Sequence, residues 1–407
     1  MSGIENGAGR YAAHRAMASA EKPVTPQQLV HDYIQYKARH VMTNSQPPSQ
    51  ERPPINHGGA VDQAAQQYGI PACDWLDLST GINPVAYAVP DIDPVHWHRL
   101  PLQSELDGVK SAAKQYYGLP ATNYLVCAPG TQALIQAIPF WLKDQMDGPT
   151  AADVHVMGPT YGEHERCWQR ARYHCQYHQT TISERLERAR EILTTAETGS
   201  VVILVNPNNP DGAMFDPADI IALGKLAHDH KCWLVVDEAF MDCDPEKSVC
   251  SYIDQLPSTI ILRSFGKFFG LAGARLGCAI MAADLAADLE GRIGPWAIPG
   301  PTLIVGAKAF RDHDWHEKTR LRLNSDAARL DRVVTDNSKL ILTGGTSLFR
   351  YYEGMECAAL ADHLGKQGIL IRLFDHDPNK VRFGIPGHDA DWKRLESAMT
   401  HWHQAAC

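Results

Sequence analysis

Thr259-Ile-Ile-Leu-Arg263 runs straight into Ser264-Phe-Gly-Lys267, and Arg275 follows after seven intervening residues. The apolar run predicts a buried strand that ends beside Ser264. Two further runs of the same kind lie upstream. Ser200-Val-Val-Ile-Leu-Val205 leads into Asn206-Pro-Asn-Asn209-Pro-Asp-Gly212, and Cys232-Trp-Leu-Val-Val236 leads into Asp237-Glu-Ala-Phe240. Tyr124-Leu-Val-Cys-Ala-Pro-Gly130 reads as strand and turn, and Val154–Met157 as a short strand stopped by Gly-Pro. Helices are expected between them at Val109–Tyr117, Thr131–Leu142 and Pro217–His228. Continuous apolar strands alternating with helices predict an α/β fold whose mainly parallel sheet is covered on both faces. The polar residues after each run then fall at the C-terminal strand ends, where open α/β sheets bind ligands.

The rest of the chain is expected to divide around this core. Residues 1–54 form an N-terminal extension, with a helix over Thr25–Val41 (Thr25 as N-cap, Pro26 at the first position) and a proline-rich linker over 44–54. Met42 precedes that linker, and the extension is expected to be dispensable for chemistry. Residues 55–105 read as an N-terminal arm with part of a smaller domain, 106–310 as the large domain, and 311–407 as a C-terminal α+β domain. In the last, Asp312–Asn337 is charged and helical, and strands are expected near Leu348–Tyr352, Leu370–Leu373 and Val381–Phe383.

Composition narrows the class of function. The net charge of −9 argues against a nucleic-acid or acidic-membrane binder, while a few pocket arginines can still take a small anion. No apolar run is long enough for a membrane span, and Met1–Ala20 lacks the apolar core of a secretory leader, so cytoplasm is the expectation. The ten cysteines are scattered and several sit in apolar runs, which predicts reduced, partly buried thiols. The nineteen histidines show no metal-ligand spacing, so no metal is expected.

One lysine, one acid at a strand end and one amide, in this order, are what a pyridoxal phosphate site needs. Lys267 supplies an amine for the cofactor aldehyde, Asp237 faces the pyridine nitrogen, Asn209 reaches the phenolic oxygen, and Ser264 and Arg275 hold the phosphate. Gly130-Thr131-Gln132 opens a helix directly after a strand, and its free N–H groups suit a phosphate. The order of these motifs resembles the fold-type I pyridoxal-phosphate superfamily, which includes class I and II aminotransferases. That resemblance implies that Tyr161, in Pro159-Thr-Tyr-Gly-Glu-His164, stacks on the pyridine. It also implies that Arg382 takes a substrate α-carboxylate, that Arg372 helps with a substrate phosphate, and that the protein is a homodimer. Arginines flanked by apolar residues either pair with an acid or bind a planar anion. Two positions depart from the aminotransferases. Phe240 stands where they carry a tyrosine that donates to the phenolic oxygen. Leu100 stands where histidinol-phosphate aminotransferases place a tyrosine that reaches a partner's cofactor.

Asn56-His57-Gly58-Gly59, Trp75-Leu-Asp-Leu-Ser-Thr-Gly81-Ile-Asn83-Pro84 and the phenylalanine of Asp237-Glu-Ala-Phe240 narrow the resemblance to the threonine-phosphate decarboxylases of cobalamin biosynthesis, over roughly residues 56–400. It implies that His57, Gly58 and Gly81 line the pocket for a small phosphorylated amino acid, together with Asn209. The implied reaction is decarboxylation of O-phospho-L-threonine to (R)-1-aminopropan-2-yl phosphate. The alternative is an aminotransferase resembling histidinol-phosphate aminotransferase. A third class, a pyridoxal-fold regulator, requires a DNA-binding domain, and residues 1–54 lack a helix-turn-helix pattern and a strong basic charge.

Overall fold

The computed structural model describes residues 58–120, 124–145, 152–375 and 377–406. The expected helix over Thr25–Val41, the proline-rich linker and His57 lie outside the described residues. The chain enters through β1 (Leu76–Asp77). It then builds β2 (Leu125–Ala128), β3 (Val154–Gly158), β4 (Cys175–Gln179), β5 (Val201–Val205), β6 (Trp233–Asp237), β7 (Thr259–Ser264) and β8 (Gly277–Ile280). These seven form one sheet in the order β2-β8-β7-β6-β5-β3-β4. From β7 to β4 every neighbouring pair is parallel, whereas β8 runs antiparallel to both β7 and β2.

Alternation explains why the strand sequences are apolar without a break. Val202, Leu204, Leu234, Val236 and Ile261 join one core, and Val201, Ile203, Val235, Ile260 and Leu262 join another. Successive side chains point to opposite faces, so a strand covered on both sides has room for a polar residue only where a buried partner meets it. The helices Gln103–Tyr116, Ile182–Thr195, Pro217–Asp229 and Gly300–Ala309 contribute to the first core. Thr131–Gln145, Glu163–Arg170 and Ala283–Ile293 contribute to the second.

After the long helix His313–Asn337, whose N-cap Asp312 accepts from Trp315 N at 3.1 Å, a second sheet forms. It comprises β9 (Ile341–Thr346), β10 (Phe349–Glu353), β12 (Arg372–Phe374) and β13 (Asp377–Gly384), antiparallel in the order β12-β13-β10-β9. A third core, with Leu330, Tyr352, Leu360, Phe383 and Leu395, joins it to the helices His313–Asn337, Cys357–Gly365 and Asp389–Ala406. The strand expected over Leu370–Leu373 is divided. β11 (Ile369–Leu370) pairs in parallel with β1, while β12 pairs antiparallel with β13, so these few residues serve two different sheets. No described helix is long and apolar enough to cross a membrane.

Candidate active site

Lys267 is mounted on a single helical turn, Phe265–Phe268, that begins where β7 ends. Phe265, Phe268 and Phe269 are buried, and the Phe269 ring stacks on Phe265 (4.5 Å) and on Trp315 (5.6 Å). With the phenylalanines turned into the core, Gly266 and Lys267 are the residues of the turn that face a cavity of about 320 Å³ at the strand ends. Burial of the amine, reinforced by the Arg382 and Arg275 cations and opposed by Asp237, holds its pKa down to about 8. The Phe240 ring centroid lies 5.5 Å from Lys267 Nζ.

Asp237 ends β6 and is buried. Its Oδ1 accepts from Ala239 N at 3.0 Å, and its Oδ2 lies 2.9 Å from Nε2 of the equally buried His164. A carboxylate withdrawn from water needs such partners. Beside the cofactor cation expected for it, Asp237 has a protein partner in His164, which enters from the first turn of the helix Glu163–Arg170. The available signal was its position three residues after Tyr161.

At the other end of the cavity β2 turns through Gly130 (φ +84°) into the helix Thr131–Gln145. A Cβ on Gly130 would lie 2.5 Å from the Arg275 guanidinium, so only glycine lets the turn and that cation meet. Thr131 Oγ1 donates to Arg263 O at 3.1 Å, fastening the helix start to β7. Gly130, Thr131, Ser264 and Arg275 thus border one end of the cavity, a helix N-terminus beside a cation, which suits an anion. Tyr161 OH donates to Gln132 Oε1 at 3.2 Å, and Gln132 Nε2 donates to Glu163 Oε2 at 3.0 Å. Burial raises the Tyr161 pKa and keeps the phenol neutral.

Adjacent asparagines have separate environments. Asn208 Nδ2 donates to Pro159 O (2.9 Å) and Asp211 Oδ1 (2.8 Å), and Asp211 is paired with buried Arg185 at 2.9 Å. That network fixes the loop and leaves Asn209 on the cavity wall. Asn209 Oδ1 accepts from Arg382 Nη1 at 2.5 Å, and Arg382 Nη2 donates to Ser79 O at 2.8 Å. Arg382 Nε is buried without a partner among the described residues. Burial and the nearby Arg372 cation lower the Arg382 pKa to about 10. Arg372 and Arg382 are direct cross-strand partners, two like charges side by side, with the Asp375 carboxylate acting on the first and the Asp77 carboxylate on the second.

All nine cofactor-site residues named from sequence therefore line one cavity: Gly130, Thr131, Gln132, Tyr161, Asn209, Asp237, Ser264, Lys267 and Arg275. Arg382 reaches that wall through Asn209. Gly58, Gly81 and Arg372 are not part of the wall. A Cβ on Gly81 would lie 2.8 Å from Phe240 and 2.9 Å from Phe349, so its absence permits close approach of backbone to rings. Phe240 is buried, edge-on to Phe349 at 5.0 Å, and offers no hydroxyl. Leu100 is 60% exposed.

Residues 84–395 match the aminotransferase class I and II family. The chain is 39% identical over 352 residues to a threonine-phosphate decarboxylase of Pseudomonas aeruginosa, covering 86% of this chain and 99% of that protein. A threonine-phosphate decarboxylase of a Sinorhizobium species is 38% identical over 346 residues, covering 85% and 98%. In fold, the chain is similar to histidinol-phosphate aminotransferase from Sinorhizobium meliloti in complex with pyridoxal-5'-phosphate, with a TM-score of 0.71, 18% identity, and coverage of 89% and 100%. A lysine at the end of β7, a buried acid at the end of β6 and a helix N-terminus at the end of β2 meet in a fold of that kind, and the chain belongs to the aminotransferase class I and II family.

Proposed function

We propose that this chain is a pyridoxal-phosphate-dependent lyase that decarboxylates O-phospho-L-threonine to (R)-1-aminopropan-2-yl phosphate for cobalamin biosynthesis. The observation that carries this reading is the likeness to two threonine-phosphate decarboxylases along 99% and 98% of their lengths. The residues fit the cofactor. Asp237 and Lys267 line the same cavity, and the Gly130 turn with Arg275 is a cradle that a side chain at 130 would fill. Bound there, pyridoxal phosphate supplies an electron sink for the pair of electrons left at Cα when carbon dioxide departs.

The chain's own groups do the rest. With a pKa near 8, Lys267 Nζ can be neutral as a nucleophile and can then carry a proton to Cα. Asp237, oriented by His164, would be the residue that meets the pyridine nitrogen of the bound cofactor. Arg382 would take the substrate α-carboxylate and, held by Asn209, would orient the bond that breaks. Arg372, beside it in the sheet, takes the phosphate of the substrate together with the loops at Gly58 and Gly81. Phe240 leaves Asn209 as the donor to the phenolic oxygen.

The same lysine serves transamination, so an aminotransferase is the competing reading. Product analysis decides between them. With O-phospho-L-threonine as sole substrate and no keto acid, sustained carbon dioxide release with aminopropanol phosphate is expected. Turnover that requires 2-oxoglutarate and yields glutamate would establish the aminotransferase. O-phosphoserine run in parallel tests whether the substrate methyl group is selected.

A further inference from the structure

Three consecutive carbonyls at the lysine turn are capped by one remote segment. Asn83 N donates to Lys267 O at 2.9 Å, Asn83 Nδ2 to Phe268 O at 2.8 Å, and Tyr87 N to Phe269 O at 2.9 Å. A helix of one turn leaves its last carbonyls without partners in the helix, so these bonds hold it in place. Asn83 is 1% exposed. Its Oδ1 accepts from Val85 N at 3.1 Å and from Arg322 Nη2 at 2.6 Å, and Arg322 is tied along its own helix to Asp326 at 2.9 Å. Both ends of the amide are used, which aspartate (no donor) and alanine (neither group) cannot reproduce. A few residues upstream, Ser79 O accepts from Arg382 and Gly81 abuts Phe240.

We infer that Asn83, oriented by Arg322, is a positioning residue that fixes the backbone of Lys267 relative to Arg382. The segment 79–87 bonds to the guanidinium at one end and to the lysine turn at the other, so the separation of the two groups is set by one short stretch of chain. Displacements of about 1 Å at a reacting group cost about 100-fold in rate, and the clamp prevents them. The inference rests on Lys267 being the reactive amine and is independent of which Cα bond breaks.

The test uses the full chain loaded with pyridoxal phosphate and the variants Asn83→Ala, Arg322→Gln and Arg322→Lys. For Asn83→Ala, kcat is expected to fall about 10- to 100-fold while KM for O-phospho-L-threonine stays within about threefold. Amide hydrogen exchange is expected to accelerate in 265–272 and to stay unchanged in β5 and β6. Arg322→Gln, whose shorter neutral amide cannot reach Asn83 Oδ1, shows the same pattern more weakly, and Arg322→Lys, which keeps a cationic donor on a longer side chain, restores most of the rate. A folded Asn83→Ala protein with kcat within about twofold of the parent overturns the inference, as does faster exchange throughout the sheet. If Asn83→Ala does not fold, Arg322→Gln, at a partly exposed position, decides by the same two readouts. Should the parent release no carbon dioxide, the proposed reaction fails, while the exchange pattern still judges the clamp.

Discussion

Lys267 shares its surroundings with two arginines and one aspartate, and that balance has a measurable sign. Its folded pKa lies below the ordinary value of 10.5, at about 8, chiefly because the amine is buried. The unfolded chain therefore binds more protons between about pH 8 and 10.5, and the cofactor-free protein should gain stability as pH rises through that window. Lys267→Met should remove this cost, stabilising the cofactor-free protein at pH 7 by about 3 kcal/mol in urea unfolding, and should abolish covalent capture of pyridoxal phosphate. A Lys267→Met protein no more stable than its parent would contradict the burial argument. The paired arginines make a second prediction. Arg382→Ala should lower kcat/KM for any amino-acid substrate by about 2–5 kcal/mol, and Arg372→Ala should erase the preference for phosphorylated over free threonine. Equal effects of both changes on both substrates would refute the division of labour. Asp237 was legible as the acid directly after an apolar run, and Asn209 and Lys267 as polar residues within a few positions of one. His164 was not, because one histidine among nineteen acquires its meaning only when its helix packs against the end of β6.

The elements that carry the site are joined by a buried ion network. Arg263, on β7, reaches Glu238 at 2.6 Å and Asp242 just beyond β6, and its guanidinium lies 4.6 Å from the Tyr117 ring centroid. Arg263→Met should leave two carboxylates without their cation and destabilise the fold by about 3–5 kcal/mol, read from denaturant midpoints. An unchanged midpoint would show that water or a shift of Glu238 compensates. The parallel strands could be read from sequence because burial on both faces writes itself as an unbroken apolar run. β4, Cys-Gln-Tyr-His-Gln, could not, since an edge strand with partly exposed residues carries no such run. The direction of β8 was equally hidden: Gly277-Cys-Ala-Ile280 is apolar whichever way it runs. The division of the expected 370–373 strand depends on two partners distant in sequence, β1 and β13.

Among the described residues, exposed large apolar side chains are most closely spaced along the sequence in one stretch. Val95, Trp97, Leu100 and Leu102 are all exposed, Trp97 by 67%, within eight residues of one another. Exposed apolar groups this closely spaced mark an interaction surface, and the family resemblance points to a second copy of the chain. Sedimentation should give a dimer, and Trp97→Glu combined with Leu100→Glu should shift it toward monomer. A monomeric parent protein would refute this assignment.

The order of strands in the large sheet also has a consequence for how the chain matures during synthesis. β2 is the first strand of that sheet to be made, yet its only ladder there is with β8, the last, and the paired Cys127 and Cys278 are 151 residues apart. At about 5–20 residues per second, a nascent chain carries Leu125–Ala128 unpaired for roughly 8–30 s. The parallel block β3 to β7 can assemble in that interval, but the edge that presents Gly130 cannot. A ribosome-bound chain halted before Gly277 should therefore leave β2 open to protease and capture no cofactor, and the fully synthesised chain, with β8 free to pair, should close β2 and take up the cofactor.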